Sequence, residues 1–105
     1  MNTNHSKATG TSCIITLTPK STEAVIVDQI SWSYETTVAG KLTVSVDSAE
    51  PFDQHITVSG HDFVYFPGDG LRGKVGSAMT ITLLDGSTGK ELNVSYRGDY
   101  TITKN

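Results

Sequence analysis

Sulfur chemistry is nearly absent from this chain, which has one cysteine, Cys13, and two methionines. A single thiol excludes an internal disulfide, and it excludes a cysteine-based metal site unless a second chain takes part. Basic residues are also few and scattered, eight against eleven acidic ones for a net charge of −3. General attraction to nucleic acid or to an anionic membrane is therefore not expected. No window approaches the apolar length of a membrane span. The start, MNTNHSKATG, has no apolar run after a charged head, so it does not read as a signal peptide. The sequence-level expectation is a protein made and used in the cytoplasm of its producer. No segment keeps a helical period over two turns. At 105 residues the chain suffices for one domain and one core. Without disulfide or metal staples, that core or neighbouring molecules must hold it together.

What the chain has in quantity is period-two alternation. From Asp28 to Val46, Ile30, Trp32 and Tyr34 alternate with Ser31, Ser33 and Glu35, then Leu42, Val44 and Val46 alternate with Lys41, Thr43 and Ser45. The Ala39-Gly40 corner between the two runs predicts an antiparallel hairpin that offers all six apolar side chains to one core. Upstream, Cys13, Ile15 and Leu17 share a face, and PKSTE (19–23) is a turn. Val25 and Val27 are out of phase with Ile30, which predicts a bulge or a change of sheet near Asp28-Gln29. Downstream, DSAEP is a loop, and Phe52, Gln54, Ile56 and Val58 alternate. In HDFVYF (61–66), Phe63 and Tyr65 oppose Val64 and Phe66. PGDGLRGKVG (67–76) is too irregular for a strand and too apolar at Leu71 and Val75 to float free, so it should wrap an edge or an end of the fold. AMTITLL turns Met79, Ile81 and Leu83 inward, DGSTG makes a hairpin loop, and ELNVSY aligns Leu92, Val94 and Tyr96. YTIT can pair after a corner at Arg97-Gly98-Asp99. About eight short strands at spacings of roughly 8–12 residues describe an antiparallel β-sandwich, jelly-roll-like or immunoglobulin-like. Residues 1–10 are polar and read as a flexible N-terminal arm ahead of a single domain over 11–105.

Chemistry is harder to find. His61 beside Asp62 has the donor types of a metal site, but spacing brings no second histidine to it, neither His5 nor His55. No serine sits in a nucleophile elbow, and Cys13 reads as a small strand hydrophobe. Asp47, Glu50 and Asp53 read as a charged loop, and Asn93-Val94-Ser95 as strand rather than glycosylation site. Arg97-Gly98-Asp99 spells an integrin-type tripeptide in a turn dipeptide context. No metal, cofactor or enzymatic activity is expected. Among the aromatics, Trp32, Tyr34 and Tyr96 fall in phase with aliphatic core residues. The core anchors are then Ile30, Trp32, Tyr34, Leu42, Val44, Ile81 and Leu83.

The order of the motifs carries a resemblance. ISWSY (30–34), AGKLTV (39–44), an Ile-x-Val-x-Gly unit (56–60), F-x-x-F-P (63–67), GLRGKVGSAMTITL (70–83) and a closing glycine-bearing loop into LNV (92–94) follow one another. In this the chain resembles the small β-sandwich structural proteins of tailed bacteriophages, over roughly Ile14 to Tyr96. DGSTGKE (85–91) departs from that pattern, being more polar than the glycine and alanine version. The resemblance implies a non-enzymatic virion component on the outer capsid surface, made in the bacterial host. Such a component decorates or cements the shell, with the major capsid protein and copies of itself as partners, a trimer at a threefold joint included. The contact candidates are the arm, Met1, Asn2, Thr3, Asn4, His5, Ser6 and Lys7, and then Pro67, Leu71, Arg72 and Val75 of the wrap. A tail, baseplate or fibre-head component is the alternative within the same class. A carbohydrate-binding or host-adhesion module is the alternative from another class, and it requires an exposed aromatic face.

Overall fold

The computed structural model describes residues 3–10, 13–34, 40–47, 49–56, 60–85 and 90–104. Ten strands occur among them: β1 (Thr3–Gly10), β2 (Cys13–Thr18), β3 (Ile26–Tyr34), β4 (Gly40–Val46), β5 (Ala49–Ile56), β6 (Gly60–Tyr65), β7 (Leu71–Arg72), β8 (Met79–Asp85), β9 (Lys90–Arg97) and β10 (Thr101–Lys104). They form two antiparallel sheets. The first runs β1-β9-β3-β6, with the two-residue β7 also paired to β3, and the second runs β10-β2-β8-β4-β5.

Leaving out the short β7 and β10 and the lateral pairings of β3 with β9 and β4 with β8, the pairings are β4 with β5, β3 with β6, β2 with β8 and β1 with β9. These are the rungs of one long antiparallel ribbon, reversed at Asp47 and then rolled so that successive strands, the central β4 and β5 excepted, fall in opposite sheets. That winding is the jelly roll, and it decides between the two sandwich topologies the strand spacing allows. Asp47 takes a positive φ of 54° at the reversal, a conformation that aspartate tolerates better than most residues.

Burial follows the alternation closely. Cys13, Ile15 and Leu17 from β2, Ile30, Trp32 and Tyr34 from β3, Leu42, Val44 and Val46 from β4, Met79, Ile81 and Leu83 from β8, and Leu92, Val94 and Tyr96 from β9 make one core between the sheets. The predicted bulge is present: pairing of β3 with β9 shifts register between Val27 and Gln29. It lets Val25 and Val27 share the interior with Ile30.

Three expectations are corrected. Ile30–Tyr34 and Leu42–Val46 are not the arms of one hairpin, because β3 lies in the first sheet and β4 in the second. Their apolar faces meet across the core from opposite sides, which alternation alone cannot distinguish from pairing edge to edge. Gly40 opens β4 rather than a tight turn, and a Cβ there would overlap the Tyr34 ring. The glycine makes room for that ring, whose hydroxyl donates to the Leu84 carbonyl oxygen at 2.7 Å. Tyr34→Phe should therefore cost about 1 kcal/mol of stability, read as a lower urea midpoint with an unchanged slope.

Second, Thr3–Gly10 is not a free arm. It pairs residue for residue with β9, from Thr3 opposite Arg97 to Gly10 opposite Lys90. An edge strand is held chiefly by backbone hydrogen bonds, so a segment with no apolar pattern can complete a sheet. Third, the loops expected around DSAEP and DGSTG differ. Ala49 already begins β5, and β8 and β9, which DGSTG joins, lie in opposite sheets. Residues 86–89 themselves lie outside the described residues, as does Val58.

Candidate functional site

The outer face of the first sheet is built in rows by the strand register. Tyr65 of β6 pairs with Gln29 of β3, Gln29 with Ser95 of β9, and Ser95 with His5 of β1. Two residues along, Phe63, Ser31, Asn93 and Lys7 form the next row. Four strands span about 14 Å at the usual inter-strand spacing. Ser31, Ser33, Glu91, Asn93 and Ser95 are half-buried members of this floor, and the Asn93 amide donates to Glu91 Oε1 at 3.1 Å.

On this polar floor stand two aromatic rings. Phe63 is 58% exposed and Tyr65 57% exposed, two residues apart on one face of an edge strand. Val64, between them, packs against the core. The alternation of HDFVYF gives both faces of β6 apolar residues, so sequence alone does not say which pair is outside. Register against Gln29 and Ser31 decides it.

Beside Tyr65 lies a depression of about 350 Å³ lined by Asp28, Gln29, Tyr65, Ser95 and Arg97. Its base is a fixed ion pair. Arg97 donates from Nε to Asp28 Oδ1 at 2.7 Å, its NH2 nitrogen lies 2.5 Å from the same oxygen, and that nitrogen also donates to the Gly68 carbonyl at 2.8 Å. The hydrogen bond it donates to the Asp28 carboxylate raises the Arg97 guanidinium pKa above its ordinary value. The pair exists because of the bulge: the register slip at Val27/Gln29 sits at Asp28 and lets its carboxylate meet Arg97 on the outer face. Tyr100 packs against the core. Its hydroxyl accepts from the Ile26 amide at 3.1 Å and reaches the Arg97 carbonyl, and burial raises its pKa.

The other sequence candidates fall elsewhere. Thr3, Asn4, His5, Ser6 and Lys7 lie in β1, whereas Met1 and Asn2 are outside the described residues. Pro67, Arg72 and Val75 are exposed, Val75 by 54%, while Leu71 packs against the core. The wrap therefore does follow an edge, but Val75 stands in solvent, contrary to the apolar anchoring expected of it. It also contains a short strand, β7, where irregularity had suggested none. The arginine of Arg97-Gly98-Asp99 is engaged by Asp28 and Gly68 and is not displayed. Asp62 accepts a hydrogen bond from the Phe63 amide at 2.8 Å. Among the described residues no group of three or more metal-ligating side chains converges. Cys13 is wholly buried, and that burial pushes its thiol up, away from the thiolate a nucleophile needs.

No protein-family model matches this chain, and no curated protein matches it.

Proposed function

We propose that this protein is a non-enzymatic structural component of a tailed-phage particle, a decoration or cement protein that bridges major capsid subunits on the outer shell. The observation that carries the reading is the edge strand β1. At the register positions opposite Leu92, Val94 and Tyr96 it brings Ala8, Ser6 and Asn4, so it pairs through the backbone with no apolar pattern in its sequence. A strand held in this way exchanges partners readily, and strand addition to a neighbouring sheet edge is an established mode of assembly. The jelly roll is itself an architecture of viral shell domains, a fold-level analogy that agrees with the motif resemblance.

The mechanism is mechanical. Each copy adds interface area across a joint between shell subunits, and many weak contacts on one particle act together. A stable joint needs roughly 1,200–2,000 Å² of buried surface, more than β1 alone provides. The exposed Pro67, Arg72 and Val75 of the wrap are the second contact candidates. Two copies meeting edge to edge through β1 would make the self-association the reading includes.

Sedimentation of a lysate from the native producer, with quantitative mass spectrometry of the particle fraction, tests this. The expected result is co-sedimentation at a copy number comparable to the major shell protein, lost when residues 1–10 are deleted. Tens of copies would move the protein to the tail, and absence from particles overturns the reading.

A further inference from the structure

The two sheets finish their outer faces differently. The second sheet finishes its outward positions on β2, β8 and β4 mostly with Thr16, Thr80, Thr82 and Thr43, beside the aliphatic Ile14 and Leu84 and no aromatic ring, and the Thr16 and Thr80 hydroxyls lie 3.3 Å apart. Threonine suits an outer strand position, being β-branched and polar. The first sheet has the same backbone requirement at Phe63 and Tyr65 but meets it with two large rings, each more than half exposed. Strand propensity does not call for that choice, since threonine serves on the opposite face. On an edge strand, exposed aromatics also raise the risk of aggregation.

We infer that Phe63 and Tyr65, with the Asp28/Gln29/Ser95/Arg97 depression beside them, form a binding platform for a hydroxyl-rich saccharide chain. A sugar ring is amphipathic, with C–H bonds on its faces and hydroxyls around its rim. The faces stack on aromatic rings, and the rim needs donors and acceptors at a fixed distance from those rings. The row Tyr65–Gln29–Ser95 supplies a ring, an amide and a hydroxyl in register. The carboxylate of Asp28 meets Arg97 through Oδ1 in both contacts, which leaves Oδ2 to accept a hydroxyl. Because the guanidinium is tied to both Asp28 and Gly68, these groups are held in place before a ligand arrives.

Other occupants fit less well. A single-stranded nucleic acid also stacks on aromatics but needs a basic groove for its phosphates, and this chain is acidic overall. A protein interface has an apolar centre that excludes water, whereas the two rings here are bordered by Ser31, Gln29 and Asn93. The platform does not rest on the particle reading: it uses the outer face of the first sheet and leaves the outer edge of β1 free.

The test is titration of the full-length protein, followed by amide chemical shifts, with cellohexaose, chitohexaose, xylohexaose and purified O-antigen and capsular polysaccharides, beside a dT15 oligonucleotide. The expected result is binding to at least one saccharide, with shifts at Gln29, Phe63, Tyr65 and Ser95. Phe63→Ala and Tyr65→Ala should each weaken it by at least about tenfold, in line with the loss of one stacked ring, with melting temperature lowered by no more than about 4 °C. Tyr65→Phe should retain binding. Binding to none of the saccharides, binding that both alanine variants leave unchanged, or binding to dT15 alone overturns the inference.

Discussion

Trp32→Ala is expected to melt at least about 12 °C below the parent. Trp32 is 4% exposed and sits in β3, opposite Leu92 on one side and Asp62 on the other. Truncating a buried tryptophan costs about 3–5 kcal/mol through lost transfer energy and the cavity left behind. A domain of this size holds about 5–15 kcal/mol in all, and each kcal/mol moves the midpoint by about 4–8 °C. Circular dichroism melts should therefore show a midpoint lower by at least about 12 °C. The informative contrast is with Phe63→Ala, an aromatic residue one strand away on the opposite face. Being 58% exposed, it should change stability by no more than about 0.5 kcal/mol. If Trp32→Ala melted like the parent, the core assignment of the whole β3 face would fail.

That contrast also marks what was legible from residue order. Trp32, Tyr34 and Tyr96 share phase with Ile30, Val94 and Leu92, so their burial could be read directly. The bulge was legible for the same reason, since no straight strand turns both Val27 and Ile30 inward. Alternation tells which residues face a core, but not from which side of it, and so β3 and β4 read as a hairpin although they lie in opposite sheets. In β1 the information is missing from the side chains, because pairing with β9 runs through the backbone and leaves no apolar pattern in TNHSKATG. The platform was hidden for a third reason. Both faces of HDFVYF are apolar, and only the register against Gln29 and Ser31 puts Phe63 and Tyr65 outside. The Asp28–Arg97 pair spans a separation of 69 residues, and nothing local in the sequence announces it.

Close approach to β3 makes Gly70 the most demanding backbone position in the wrap. Gly70 has a φ of +75°, and a Cβ built there would lie 2.8 Å from the Val27 carbonyl oxygen, 2.9 Å from Ile26 Cγ2 and 3.5 Å from Asp28 Oδ1. Two costs add in Gly70→Ala. The left-handed conformation costs an L-residue about 1–2 kcal/mol, and forcing a methyl group into packed backbone costs about 1–3 kcal/mol more. Gly68→Ala separates the two terms. Gly68 has a φ of +71° with nothing within 4 Å of its Cβ position, so that variant should lose only the conformational part. In denaturant titrations Gly70→Ala should therefore fall below Gly68→Ala by about 1–3 kcal/mol. The consequence reaches the outer face, because the backbone that must yield is that of Ile26 and Val27, next to the bulge that positions Asp28. Gly70→Ala should displace Asp28 from Arg97 and broaden the amide signals of Gln29 and Ser95, whereas Gly68→Ala leaves them sharp. Equal stability of the two variants would mean that the wrap moves away from β3 without cost, and that the Asp28–Arg97 pair does not depend on it.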